Sequence, residues 1–353
     1  MKVSIVGAGN SGCAHACKLI QCGHEVTIIK TSESLHNENY ETIKSRGYIE
    51  CIDHTDNLRR SLCKPASVTK DLEKGLSEAE VILILTQSLQ HKDLAQRLSK
   101  YFKDGQLVLI IPGNLGSVMF KKQTTKNVIF AEGESTPYDA RITEPGKVEI
   151  LFKNVRNAVS FYSKSDEIYL STIDSLFGRH KYLRSNLIES AMHNPNLIVH
   201  TIGTIMSANR IEKMKGDFWM YRESFSPSIW NLIEELDEEK KQVIKAYGGQ
   251  TVISYLDAYK WRNEENLQID SLDVFNMYAN TGGPKGPASL ETRYVHEDVP
   301  MGLCLLENLA KMKGISTPIS SSLISIASSL VQRDFRLMAY SLEDLSSYID
   351  SMN

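Results

Sequence analysis

Asn196 and His200 stand four residues apart in a segment that opens Asn194-Pro195 and runs on through the apolar residues Leu197, Ile198, Ile202, Ile205 and Met206. Asn followed by Pro is a helix start, the amide capping and the proline sitting in the first turn. The spacing therefore predicts an amide and an imidazole on one face of a largely buried helix. Imidazole is the side chain that exchanges protons near neutral pH, although on an apolar helix it is more often a hydrogen-bonded core residue. A second segment, Glu291-Thr292-Arg293-Tyr294-Val295-His296-Glu297-Asp298-Val299-Pro300, sets an arginine among three acids just ahead of an apolar helix. Arginine clamps a carboxylate with two parallel hydrogen bonds. An acid of the same segment has the chemistry to hold the imidazole in one tautomer and stabilise its protonated form. Spacing alone leaves the plainer reading open, that these charges cap and solvate a helix.

The other chemistry-bearing motif is Gly7-Ala8-Gly9-Asn10-Ser11-Gly12, which follows an apolar strand at 2–6 and opens a helix at 13–21. In that context Gly7 makes the tight turn, Gly9 lets the backbone approach a pyrophosphate, and Gly12 lets the helix pack closely on the strand. The anion would rest on the helix N-terminus, where Asn10 and Ser11 lie. The next strand, 24–29, ends Ile29-Lys30-Thr31-Ser32, without the acid that binds the ribose hydroxyls of NAD. Lys30 with the Thr31 and Ser32 hydroxyls suits a 2'-phosphate, so NADP is the preferred cofactor and NAD the alternative. Gln87 within Thr86-Gln87-Ser88, and Pro112-Gly113-Asn114-Leu115-Gly116, fall where later strands end, the place where ligands lie in open α/β sheets.

These motifs need elements to hold them. Apolar runs at 81–86, 107–111 and 128–131 alternate with helical stretches such as 92–101, and strands at 148–152 and 157–161 follow. The pattern predicts an α/β fold: an N-terminal Rossmann-type, doubly wound parallel sheet. A short helix at 174–177 precedes a polar stretch, and the boundary is placed at 184, giving a dinucleotide-binding domain 1–184 and a substrate and catalytic domain 185–353. That second domain reads as all-helical, with helices at 194–212, 227–247 (Ser226 as cap), 252–259, 301–313 and 318–330. Residues 278–290, including Gly282-Gly283-Pro284-Lys285-Gly286-Pro287, read as a long loop with a place in substrate closure.

Composition narrows the partners. With 40 basic and 43 acidic residues spread along 353, net charge −3, the chain has no like-charge block for nucleic acid or a polybasic anchor. No apolar stretch nears the roughly 20 residues that span a bilayer. The six cysteines form no CxxC pair, which argues against a zinc site, so no metal is expected; reduced thiols and a cytoplasmic location are.

Four segments together resemble, in order, those of the octopine/nopaline (opine) dehydrogenase family. They are the Gly7 to Gly12 motif, Ala131-Glu132-Gly133-Glu134-Ser135-Thr136-Pro137-Tyr138-Asp139-Ala140-Arg141, Asn194-Pro195-Asn196-Leu197-Ile198-Val199-His200, and Arg293-Tyr294-x-x-Glu297-Asp298-Val299-Pro300-x-Gly302-Leu303. Gly314-Ile315-Ser316-Thr317-Pro318 looks like the loop before the family's last helices. The glycine motif is widely shared, whereas N-P-x-x-x-x-H paired with R-Y-x-x-E-D-V-P is specific.

The resemblance implies an NAD(P)H-dependent oxidoreductase acting on CH–NH bonds. An amino acid's amine would condense with a 2-keto acid, and hydride would reduce the imine. It makes His200 the acid/base, Asp298 its hydrogen-bonded partner, Arg293 a substrate-carboxylate ligand, Asn196 a positioning residue, and Glu132 part of a cofactor-side segment with Pro137 and Tyr138. Gly133 stands where a Thr is common. Two other readings are a reductase similar to ketopantoate reductase or glycerol-phosphate dehydrogenase, which use a catalytic lysine, and a non-catalytic NADP-binding sensor. A homodimer is expected, because closed two-fold dimers are the commonest assemblies.

Overall fold

The computed structural model describes residues 1–33, 35–178, 181–281 and 285–352. The chain divides into two compact units, Met1–Leu187 and Ile188–Asn353, the boundary lying a few residues past the expected 184. Gly282-Gly283-Pro284 of the expected loop lie outside the described residues.

The first unit contains two sheets. Its strands are β1 (Lys2–Val6), β2 (Glu25–Ile29), β3 (Ile49–Asp53), β4 (Arg59–Cys63), β5 (Ser67–Thr69), β6 (Val81–Ile84), β7 (Leu107–Ile110), β8 (Ile129–Gly133), β9 (Tyr138–Glu144), β10 (Lys147–Lys153), β11 (Ala158–Phe161) and β12 (Tyr182–Leu183). The larger sheet runs β12-β11-β8-β7-β6-β1-β2-β5, and the strands from β5 to β8 pair in parallel. Val-Ile-Leu-Ile of β6 and Leu-Val-Leu-Ile of β7 are buried throughout, as strands covered on both faces must be. The strand order reverses between β1 and β6, which creates the crevice where doubly wound sheets take their ligands.

The smaller sheet, β4-β3-β10-β9, was not anticipated as a separate layer. Its strands carry mixed sequences such as Arg-Arg-Ser-Leu-Cys, and only their pairing with distant partners makes them strands. The Asn10–Gln21 helix packs against strands of both sheets. It can do so because its buried residues, Gly12, Cys13, Ala14, His15, Ala16, Cys17 and Leu19, are mostly small and cover its circumference. Lys18 on this helix pairs with buried Asp53 of β3.

The regular elements of the second unit are all helices among its described residues. The single helix expected over 194–212 is two, Asn196–Ile205 and Ala208–Met214, broken at Ser207. Pro195 takes the cap position, while the Asn194 side chain accepts from the Asn196 N–H at 3.1 Å. The expected loop 278–290 begins later, because a helix that the sequence reading missed, Ser271–Thr281, runs into it. The terminal helix Leu342–Ser351, closed by a capping box from Ser341 and Asp344, was also missed. Pro227–Ala246 packs beside Pro318–Val331, and buried Glu239 joins them by accepting from Ile319 N (2.6 Å), Ser320 N (3.0 Å) and Ser320 Oγ (2.7 Å).

Removing that acceptor strands buried donors at a helix start, which costs about 2 kcal/mol. Glu239→Ala is expected to lower the urea midpoint of the second unit correspondingly, and an unchanged midpoint would show that the pairing contributes nothing.

Candidate functional site

The glycine turn at the end of β1 is sterically obligatory. Gly7 has φ +121°, and a Cβ there would lie 2.7 Å from the Leu85 carbonyl oxygen. A Cβ on Gly12 would overlap the Gly7 carbonyl oxygen, and one on Gly9 would press on the His36 ring at 3.3 Å. No side chain caps the helix that follows, so its first N–H groups are presented to an anion. Asn10 spends its side-chain oxygen on Ile142 N of β9 at 2.8 Å, which ties the turn to the smaller sheet. Ser11 Oγ lies 3.4 Å from Thr136 Oγ1, so a hydroxyl reaches the turn from residue 136, three places beyond Gly133.

At the end of β2 the structure gives Lys30 a different task from the one its position suggests. It is 3% exposed, and its ammonium donates to Ser32 O (2.7 Å), Ser32 Oγ (2.7 Å) and Leu35 O (2.6 Å). Those three bonds use its three protons to shape the loop around Thr31 and Ser32. Burial, reinforced by nearby Lys70, lowers its pKa. Two cations that the sequence reading missed stand at the same edge: Arg97 donates to the Thr31 carbonyl at 3.0 Å, and Lys70 pairs with Glu33 at 2.9 Å. Both come from far along the chain, so no local motif announces them.

Gln87 is exposed just past the end of β6. Glu132 is fully buried. Its carboxylate accepts from Leu115 N (3.0 Å), Ser117 N (2.8 Å) and Ser117 Oγ (2.5 Å), and a Cβ on Gly113 would collide with it. It therefore holds the Pro112 to Gly116 turn from beneath and anchors the loop rather than presenting a group to a nucleotide. Burial pushes its carboxyl up to about 7 against the pull of those donors.

In the second unit, His200 and Asp298 meet across 98 residues of chain, Nδ1 to Oδ2 at 2.7 Å, both about 5% exposed. Two backbone features permit this. Gly302 leaves room for the Leu197 backbone, since a Cβ there would lie 3.2 Å from Leu197 Cα. Val299–Cys304, starting one residue after Asp298, forms a widened π-helical turn that continues into Leu305–Met312. The Tyr294 ring stacks on His200 at 3.6 Å and 13°, a contact the sequence reading did not draw from the Arg-Tyr motif. Arg293 is exposed on the short helix Arg293–His296 that also carries Tyr294, its guanidinium 5.8 Å from the Tyr294 ring, and Asn196 lies one turn before His200 and is half-buried. The structure thus brings an imidazole, its carboxylate, a stacked phenol and a guanidinium into one neighbourhood.

A parallel sheet with this glycine turn and a helical second unit are the layout of nicotinamide-dependent two-domain dehydrogenases. Residues 2–129 match the family model described as NAD-dependent glycerol-3-phosphate dehydrogenase N-terminus. Residues 183–331 match that described as NAD/NADP octopine/nopaline dehydrogenase, alpha-helical domain. An opine dehydrogenase of Arthrobacter sp. (strain 1C) is 27% identical over 97% of this chain and 94% of its own. A vitopine synthase of Allorhizobium ampelinum is 23% identical over 98% and 95%. The structure of an octopine dehydrogenase in complex with NADH and agmatine superposes with TM-score 0.78 at 18% identity, covering 100% of this chain and 97% of that one. The likeness to opine dehydrogenases thus runs along nearly the whole chain, with the helical-domain match over residues 183–331.

Glu132 titrates where its burial is felt. Its folded pKa, about 7, lies above the ordinary carboxyl value of 4.5, so its contribution to stability is complete below pH 4.5 and is lost as pH rises through 7. His15 and His91, lowered to about 4 by burial, slope the other way over part of that window. The readout is therefore the wild-type stability minus that of Glu132→Gln, expected to fall by about 3 kcal/mol between pH 4.5 and 7.5 in urea titrations. A pH-independent difference would contradict a carboxyl held neutral by burial.

Proposed function

We propose that this chain is an opine dehydrogenase that condenses the amine of an amino acid with a 2-keto acid and reduces the imine using NADPH. The observation that carries the reading is the buried His200–Asp298 pair under the Tyr294 ring, beside Arg293. The glycine turn fits the cofactor: it leaves no room for a Cβ at Gly7 or Gly12 and leaves the helix start uncapped by side chains. Gly7, Gly9, Gly12 and the first N–H groups of that helix, with Thr31 and Gln87 at neighbouring strand ends, would hold the dinucleotide, which when bound supplies hydride.

With Nδ1–H donated to Asp298, the proton that His200 exchanges is the one on Nε2. His200 takes a proton from the amino acid's ammonium as the amine attacks the keto carbon, and the charge it acquires is stabilised by Asp298. Arg293 binds a substrate carboxylate and orients the imine carbon, and Asn196 positions the substrate from the same helix as His200. Water leaves when the imine forms; hydride at carbon and a proton at nitrogen complete the secondary amine. Six free cysteines fit a reducing cytoplasm, and assembly as a homodimer rests on the prevalence of two-fold dimers.

The finer cofactor choice is NADP. Residues 30–32 after β2 include no acid to repel a 2'-phosphate, Thr31 offers a hydroxyl, and Arg97 and Lys70, paired with Asp93 and Glu33, stand at that edge. The expected kcat/KM for NADPH exceeds that for NADH by about tenfold or more, narrowing in Arg97→Ala. Equal use of both would reject the preference.

The reaction itself is tested by NADPH and NADH oxidation with pyruvate, 2-oxoglutarate or oxaloacetate against a panel of amino acids. Turnover is expected only when both substrates are present. Asp298→Asn and His200→Ala should lower kcat by about 100-fold or more with the cofactor Kd unchanged. Oxidation with a keto acid alone would favour a ketopantoate-type reductase, and tight cofactor binding without turnover would favour a sensor.

A further inference from the structure

The first unit holds a cluster of thiols that the proposed chemistry does not use. Cys17 comes from the Asn10–Gln21 helix, Cys51 from β3 and Cys63 from β4. All three are buried and unbridged, and each side chain is within hydrogen-bond reach of the other two. The register of the smaller sheet explains the meeting. β3 and β4 pair with Cys51 opposite Ser61 and Cys63 opposite Ile49, so both strand cysteines point to one face, on which the helix packs. The Cys63 thiol also lies 3.8 Å from the Cys17 carbonyl oxygen, across 46 residues of chain.

Buried thiols are ordinarily inert, because burial disfavours the thiolate that reacts. Cys17 follows that rule: burial, and then its contacts with Cys51 and Cys63, push its thiol well above the ordinary range. Cys63 departs from it. Hydrogen bonds from Cys17 first and Cys51 next, with Ser61 and Gln21 adding to them, draw its thiol down to about 3 against the effect of burial. Ser61 Oγ stands 3.5 Å and Gln21 Nε2 3.8 Å from its sulfur, and both residues are half-buried. β4 is an edge strand of the smaller sheet and Lys64 just past it is exposed, so a small oxidant has a short route to this sulfur.

We propose that Cys63 is an oxidation site for hydrogen peroxide, and that Cys17 resolves the oxidised sulfur into a disulfide fastening the Asn10–Gln21 helix to β4. The Cys63 thiolate attacks one peroxide oxygen and the O–O bond breaks. Sulfur is oxidised to the sulfenic acid, and the hydroxide that leaves takes up a proton to become water. The Cys17 sulfur then displaces the sulfenic hydroxyl, forming the S–S bond, and its proton leaves with that hydroxyl as a second water. Two thiols and one peroxide thus give one disulfide and two waters. Cys17, not Cys51, is the resolving partner. Cys51 and Cys63 are diagonal across their ladder, where Cα atoms stand about 7–8 Å apart, too far for a disulfide without backbone movement. The new bond closes a long loop in the unit that carries the glycine turn and restricts its unfolded chain.

The test uses the full chain carrying Cys22→Ser, which removes the exposed cysteine. It is treated with hydrogen peroxide, alkylated in denaturant and mapped by mass spectrometry without reduction. A Cys17–Cys63 crosslink is expected, with Cys13 and Cys304, raised by burial to about 11 and about 12, recovered as alkylated thiols. The first unit of the oxidised chain should unfold at a urea concentration higher by about 1 M or more, a gain that dithiothreitol removes. Cys63→Ser should abolish the crosslink, and Cys51→Ser should retain it. Cys17→Ser should leave a sulfenic acid at Cys63 that dimedone traps. Mapping of the Cys22→Ser chain decides the matter even where a further variant fails to fold. A crosslink through Cys51 instead of Cys17, oxidation spread equally over all the cysteines, an unchanged urea midpoint, or every thiol intact after peroxide would overturn the proposal.

Discussion

The second unit is organised around one requirement, that a carboxylate and an imidazole meet in a buried place. Taking Asp298 out of water is costly unless it is paired, and the hydrogen bond to His200 Nδ1 at 2.7 Å returns about 1.5–3 kcal/mol. The surrounding backbone is arranged for that contact. Gly302 allows close approach to Leu197, and the widened turn at Val299–Cys304 follows Asp298 directly. Tyr294 covers an imidazole face and fixes the plane of the ring. An imidazole held this way has one exchangeable proton in a defined direction, which is what a proton-transfer step at nitrogen needs.

A second device recurs in both units: a buried glutamate that accepts from backbone N–H groups at a turn or helix start. Glu132 does this for Leu115 and Ser117, Glu189 for Gln250 and Thr251, and Glu239 for Ile319 and Ser320. Each satisfies donors that a helix or turn cannot pair by itself. In the first unit the device fixes the turn at Pro112 to Gly116, at the carboxyl end of β7, where a doubly wound sheet offers its ligand crevice. Glu132 thus positions the backbone of that turn.

The glycine turn of the first unit and the His200 pair of the second are built by different physics. At the glycine turn, the absence of side chains lets backbone approach backbone, and Gly7 and Gly12 have no substitute. At His200, burial of the imidazole and its carboxylate strengthens the hydrogen bond between them, and the Tyr294 ring covers one imidazole face.

By itself the sequence determined what short-range sterics and periodicity control. The Gly7 to Gly12 turn follows from allowed backbone geometry, the buried strands β6 and β7 from unbroken apolar runs, and the shared face of Asn196 and His200 from a four-residue spacing. None of these needs a distant partner. Asp298 was singled out from the acids of its segment only through family resemblance, because spacing cannot say which carboxylate reaches a residue 98 positions away. The smaller sheet, the inward turn of Lys30, the anchoring role of Glu132 and the stack of Tyr294 were decided by tertiary structure. Each is a meeting of segments whose sequences carry no local trace of one another, and chain closure alone determines which side chains share a buried volume.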